Sequence, residues 1–216
     1  MQAGQTLASP SPIPFLTGGF RWIDSKQRSA LLVFREGETK FKEAIDKYRL
    51  VPLGESVPAL FRLPFGGLSA VGGLEPGDAS RLLTWSGPPV AVAICYELSD
   101  GNSLAKAVEN GAQWILTLAN LDPYPRSLQR QFAAISQLRS IENSRDLISV
   151  ATTGPSGRVL ASGEIDSVIP SFTEGTELVE LHLNKSVSGY TRWKEKPLIA
   201  LLIVVFSGRL LLTRLD

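Results

Sequence analysis

Val90-Ala91-Val92-Ala93-Ile94-Cys95-Tyr96-Glu97 is the stretch from which the fold is read. After Gly87-Pro88-Pro89, the residues Val90 to Ile94 run apolar and partly β-branched without a polar break, the pattern of a strand buried on both faces of a sheet. Ser103 to Asn110 follows with helical spacing, placing Leu104, Ala107 and Val108 on one face and Gly111 at the C-terminal stop. Trp114 to Leu118 is a second buried strand. Strand, helix and parallel strand in this order make a βαβ unit, and the fold class is α/β. Ligands gather at the carboxyl ends of strands in such sheets. Cys95 and Asn120 both stand at such ends.

Working outward, Gly4 to Ile13 is small, polar and Pro-rich and reads as a disordered or loop lead-in. Ser29 to Phe34 (SALLVF) is a strand behind the Thr17-Gly18-Gly19 turn signal. Val51 to Ala79 is broken by prolines and glycines from Pro52 to Gly77 and is expected to be a long loop, with Phe61, Leu63, Phe65 and Leu68 as its apolar surface. Ser127 to Asn143 predicts an amphipathic helix packed through Leu128, Phe132, Ile135, Leu138 and Ile141. Leu147 to Thr152 predicts a strand, Pro155-Ser156-Gly157 a turn with Arg158 to Leu160 as its return, and Glu177 to Leu183 an alternating strand. From Pro197 the chain reads PLIALLIVVFSGRLLLTRLD. The uninterrupted part, Leu198 to Phe206, is shorter than the roughly 18 apolar residues of a spanning helix. With Arg209 snorkelling to an interface, Leu198 to Leu212 is a candidate membrane helix. The expected divisions are a lead-in over 1–16, one domain over 17–193 and a hydrophobic segment over 194–216.

The 216 residues are 44% hydrophobic and carry 22 Lys+Arg against 21 Asp+Glu, for a net charge of +1. That balance leaves no basic footprint for nucleic acid, and no nucleic-acid partner is expected. With one cysteine and one histidine, His182, no intrachain disulfide is possible and no Cys/His metal site is expected. No cofactor is implied. Met1 to Pro14 carry neither a basic nor an apolar leader region, so no signal peptide is expected there.

A lone thiol at a strand end is either a small buried hydrophobe or a nucleophile. As a nucleophile it needs a nearby cation, base or helix N-terminus to yield thiolate, and the helix starting near Asn102 lies close behind it. The basic cluster Asp46-Lys47-Tyr48-Arg49 runs into Leu50-Val51-Pro52-Leu53-Gly54-Glu55-Ser56-Val57-Pro58. A lysine there either faces solvent or enters a pocket to stabilise an oxyanion.

Lys47 followed by LVPLGESVP resembles the lysine segment of the nitrilase superfamily, and most closely its apolipoprotein N-acyltransferase branch, where the segment reads LVPFGEYVP. Ala93 to Glu97 (AICYE) resembles the branch's nucleophile segment, with Cys followed by Tyr-Glu. Gln137-Leu-Arg-Ser-Ile-Glu-Asn-Ser-Arg145 is similar to its RAIENGR helix. Ala151-Thr-Thr-Gly-Pro-Ser156 is similar to its NTG-S turn, and Gly189-Tyr-Thr-Arg-Trp193 to its closing segment before a hydrophobic tail. The matches fall in order from about Thr17 to the C-terminus.

The resemblance implies a nitrilase-like αββα sandwich, incomplete at the N-terminus, with a Glu-Lys-Cys triad. Cys95 would be the nucleophile and Lys47 the oxyanion-stabilising lysine. Glu55 would order Lys47, and Tyr96 and Glu97 would support the nucleophile loop. It further implies a phospholipid acyl donor, an apolipoprotein acceptor and a place at the bacterial inner membrane with the catalytic domain on the extracytoplasmic side.

Three departures qualify it. The triad glutamate, normally in a Pro-Glu-Ser or Pro-Glu-Thr segment before the TGG turn, has no counterpart in Met1 to Phe15, and Glu36 does not match. Asn120-Leu-Asp-Pro-Tyr-Pro125 stands where the branch has Asn-Asp-x-Trp-Phe-Gly. His182 matches no motif and is expected to be structural. The readings are an N-acyltransferase portion, with a mis-assigned start or a separately encoded N-terminal part, a soluble nitrilase-type amidase, or an inactive remnant that binds lipid or a partner. On the missing glutamate, the chain alone is not expected to take an acyl group from phospholipid.

Overall fold

The structure is a computed structural model that describes residues 2–52, 54–56 and 73–212. Phe61, Leu63, Phe65 and Leu68 of the long loop lie outside the described residues, as does the Arg209 side chain. Two sheets form. The first has the order β1 (Gln2–Gly4), β2 (Phe15–Ile23), β3 (Lys26–Phe34), β4 (Glu43–Asp46), all antiparallel. The second contains β5 (Leu82–Leu83), β6 (Val90–Ile94), β7 (Trp114–Ala119), β8 (Leu147–Ala151), β9 (Ser156–Val159) and β10 (Ile165–Ile169).

β6, β7 and β8 pair in parallel at the centre of the second sheet, with antiparallel strands on either side. The βαβ reading of Val90 to Leu118 is therefore met, with α1 (Gly101–Glu109) as the crossover. α1 is capped by Asp100, whose carboxylate accepts from the Ser103 N–H at 3.2 Å. At its first residue, a Cβ on Gly101 would lie 1.9 Å from Arg139 Nη1 and 2.7 Å from the Tyr190 hydroxyl, so a larger residue would have to displace those two side-chain ends.

The alternation of β3 and β6 builds the layers. Leu31, Val33 and Ile45 of the first sheet meet Val90, Val92, Ile94, Trp114 and Leu116 of the second. The opposite face of the second sheet, Ala91, Ala93 and Ile115, packs on Leu104, Ala107 and Val108 of α1 and on Phe132 and Ile135 of α2 (Arg126–Asn143). On the outer face of the first sheet, Ala30, Leu32 and Phe34 are covered by Leu7 and Phe41. The fourth layer of the expected αββα order is not seen among the described residues.

Several expectations are corrected. The lead-in is a tethered loop rather than disordered: β1 pairs with β2, Thr6 bridges to Lys40, and Leu7 N donates to Thr39 O at 2.9 Å. Leu7 supplies the apolar anchor that its polar neighbours conceal. α2 forms where predicted, but Leu128, Leu138 and Ile141 are exposed while Gln129, Ser136, Arg139, Ser140 and Asn143 are buried. Hydrogen bonding turns the helix: Arg139 Nε donates to Leu98 O at 3.1 Å, and Asn143 Oδ1 accepts from the Thr191 hydroxyl at 3.1 Å.

Glu177 to Leu183 is not a strand. His182 N and the His182 ring instead bond Asp146 at 3.0 and 3.1 Å, and no strand pairs alongside them among the described residues. After α3 (Gly189–Trp193), the apolar tail forms α4 (Lys196–Leu212). At 17 residues it is about 26 Å long. Among the described residues no helix is long and apolar enough to cross a membrane.

Candidate active site

Packing one sheet on the other sets the end of β4 beside the end of β6. Lys47 follows β4 directly, its N–H donating to Ser29 O at 2.8 Å, and Cys95 follows β6. Cys95 has φ of +55°, a left-handed backbone conformation that non-glycine residues seldom adopt. It opens a short 3₁₀ turn, Cys95–Ser99, so the strand reverses sharply at the thiol. Such outliers mark positions whose side-chain placement is bought with strain.

Glu97 holds this geometry. It is completely buried, and one carboxylate oxygen accepts from the Ile94 N–H at 2.8 Å and from Arg81 Nη1 at 2.9 Å. The other accepts from the N–H groups of Tyr48 and Arg49 at 2.6 and 3.2 Å. One side chain thus ties the lysine segment to the nucleophile turn. Arg81 Nη2 extends the tie to the carbonyls of Asp46, at 2.8 Å, and Asp78.

Lys47 is 1% exposed, and its Nζ lies 2.7 Å from both Glu55 oxygens. Glu55 is held in turn by the Val51 N–H at 2.8 Å. A buried ammonium requires such a partner. On the thiol, burial acts first and raises the pKa, the Lys47 charge lowers it, the Glu55 charge raises it, and the Tyr96 N–H lowers it by hydrogen bonding. The net direction is upward, so Cys95 rests as a thiol.

Alkylation of Cys95 by iodoacetamide should therefore still be accelerating at pH ~9, past the ordinary thiol value of about 8.5. Lys47→Met should move the profile to higher pH and Glu55→Gln to lower pH. A plateau below pH ~8 would contradict the assignment of these charges.

The five residues named from the sequence, Lys47, Glu55, Cys95, Tyr96 and Glu97, all fall in this one region. Arg81 and Tyr124 were missed. Arg81 is a lone cation in a Pro/Gly-rich loop, with no spacing to single it out. Tyr124 lies in the Asn120–Pro125 stretch that departs from the expected motif. Burial, together with the charges of Cys95 and Glu55, raises its phenol pKa, so its hydroxyl is within electrostatic reach of both. Its loop is pinned by Gln129 Nε2, which donates to the carbonyls of Leu121 and Tyr124 at 3.4 and 3.2 Å. Asn120 Oδ1 joins that loop to the turn after β8, accepting from the Thr152 hydroxyl at 2.7 Å. No group of metal-ligating side chains assembles among the described residues.

The sequence is 59% identical over 212 residues to a Prochlorococcus marinus protein named apolipoprotein N-acyltransferase, covering 97% of this chain and 43% of that protein. Over that length the chain is similar to proteins of the apolipoprotein N-acyltransferase family. A second Prochlorococcus marinus strain has a protein of the same name, 60% identical over 94% of this chain and 40% of its own length. The chain thus spans less than half the length of these apolipoprotein N-acyltransferases. No family model matches the chain. Among solved structures, an amidase of the nitrilase superfamily from Nesterenkonia superposes with a TM-score of 0.56 at 14% identity, over 74% of this chain and 58% of the amidase. That likeness shows a nitrilase-like α/β fold.

In this chain, both carboxylates acting on the thiol are already committed. Glu97 accepts three backbone N–H groups and Arg81, and Glu55 is bound to Lys47 and Val51. Neither is free to take the thiol proton.

Proposed function

We propose that the chain carries the acyl-transfer site of an apolipoprotein N-acyltransferase. Cys95 Sγ attacks the ester carbonyl of a phospholipid, a lysophospholipid leaves, and the resulting thioester passes its acyl chain to the α-amine of a diacylglyceryl-cysteine at a lipoprotein N-terminus. Lys47 stabilises the tetrahedral oxyanion, Glu55 fixes the lysine, and Glu97 and Tyr96 hold the nucleophile turn. The observation that carries this reading is Cys95 at a left-handed strand-end turn, coupled electrostatically to a buried lysine. A further carboxylate is required as the base, because those at hand are engaged, so phospholipid alone should leave Cys95 unmodified.

An activated acyl ester reacts with the small thiolate fraction that forms by loss of the thiol proton to solvent, and its leaving group departs without protonation, so it needs no positioned base. Mass spectrometry should then find an acyl adduct on Cys95, and adding an N-terminal diacylglyceryl-cysteine peptide should yield the acyl-peptide. Hydrolysis of small amides with no acyl-peptide formed would replace this reading with that of a soluble amidase. A Cys95 that takes no acyl group would leave the inactive-remnant reading.

The proposed setting is the membrane, and α4 supports it. Leu198 to Phe206 are exposed at every position, the large side chains at 46% to 68%, so no side of this segment is covered by the described residues. A helix apolar all round belongs in a core or a bilayer. Its length of about 26 Å is just under the hydrocarbon thickness of about 30 Å. A chain ending at Glu195 should keep its urea midpoint and lose co-sedimentation with phospholipid vesicles. Undiminished vesicle binding would remove α4 as the membrane contact.

A further inference from the structure

Arg49 stands two residues beyond Lys47, its backbone anchored by the N–H bond to Glu97. Its guanidinium lies 5.8 Å from the centroid of the Tyr96 ring, and Tyr96, the neighbour of Cys95, is 49% exposed. The nearest carboxylate, Asp100, is 3.7 Å from Nη1, too far for a hydrogen bond. Asp100 is also occupied, accepting from the Tyr48 hydroxyl and from Ser103 N. Among the described residues Arg49 therefore spends no side-chain donor in a hydrogen bond, and its side chain is 44% exposed. Its neighbours differ: Arg81, Arg139 and Arg145 are buried and bonded to carbonyls or carboxylates, while Arg21 and Arg28 share Asp46.

A guanidinium drawn over the face of an exposed ring can keep its N–H edge open to solvent. That edge matches the oxygens of a phosphate through paired, charge-assisted hydrogen bonds. Beside the nucleophile, such a cation would repel the ammonium of an incoming acceptor and attract an anionic donor. We infer that Arg49 binds the phosphate of the lipid headgroup and so sets the donor's register on Cys95. This rests on the reading of Cys95 as the group acylated by a phospholipid.

The test is protection of Cys95 from iodoacetamide, taken as the ratio of alkylation rates with and without lipid so that changes in intrinsic reactivity cancel. The probes are dihexanoyl-phosphatidylglycerol, uncharged dihexanoylglycerol and inorganic phosphate. The phospholipid should protect the native chain at the lowest concentration. Arg49→Gln should raise that concentration roughly tenfold, the worth of a charged hydrogen bond. Arg49→Lys should fall between, and the response to dihexanoylglycerol should be the same in all three chains.

Equal protection of native and Arg49→Gln chains by phospholipid would overturn the assignment and leave the acyl-transfer reading standing. So would equal protection of the native chain by dihexanoylglycerol. Protection by inorganic phosphate at the same concentration would make the site one for free phosphate and overturn the headgroup. Protection by no lipid would sink the lipid reading itself, and the assignment with it.

Discussion

Glu97→Ala is expected to lower stability by about 3–5 kcal/mol, because it leaves the Arg81 guanidinium buried without its carboxylate. The same change orphans the N–H groups of Ile94, Tyr48 and Arg49. Urea unfolding should show it as a midpoint shift of roughly 2 M. Ion-pair loss can be separated from loss of the backbone tie with the double variant Arg81→Met/Glu97→Leu. It removes the buried charge along with its partner and should recover part of the stability. It cannot restore three N–H acceptors, so its Cys95 should still acylate poorly. A midpoint unmoved by Glu97→Ala would mean that the pair is solvated and that something else joins the two sheets here.

Lys47→Met should reduce acylation of Cys95 by an activated ester by about 10² to 10³, the cost of losing one oxyanion donor in a water-poor site. Methionine fills similar space without a charge, so the fold should hold, but Glu55 loses its partner. A companion Lys47→Met/Glu55→Gln variant removes that stray carboxylate. If transition-state stabilisation is the lysine's role, the companion should be as slow as the single variant. A companion restored to native speed would show that Lys47 serves only to neutralise Glu55.

The parts legible in the sequence are those set by local pattern. β6, α1 and β7 were readable because an unbroken apolar run, a helical face and a second run leave few alternatives. Lys47, Glu55, Cys95, Tyr96 and Glu97 were named through motif resemblance, and the packing of two sheets brings them together. Arg81 escaped because its role is entirely tertiary: it neutralises a carboxylate sixteen positions away and carries no periodicity. α2 misled for a related reason. Its apolar stripe predicted which face would be buried, but Arg139 and Asn143 had partners in the nucleophile turn and in α3, and satisfying them turned the helix. Glu177 to Leu183 alternates as a strand does, yet alternation describes one side of a pairing and says nothing of whether a neighbour is there to complete it.

The burial that raises the Cys95 pKa also bears on the chemical durability of the protein. Oxidants such as peroxide attack thiolate far faster than thiol, and the first product, a sulfenic acid, usually needs a second thiol to be rescued as a disulfide. These 216 residues hold one cysteine and so supply no second thiol for that rescue. Keeping Cys95 protonated at rest therefore slows the oxidation from which this chain could not recover by itself.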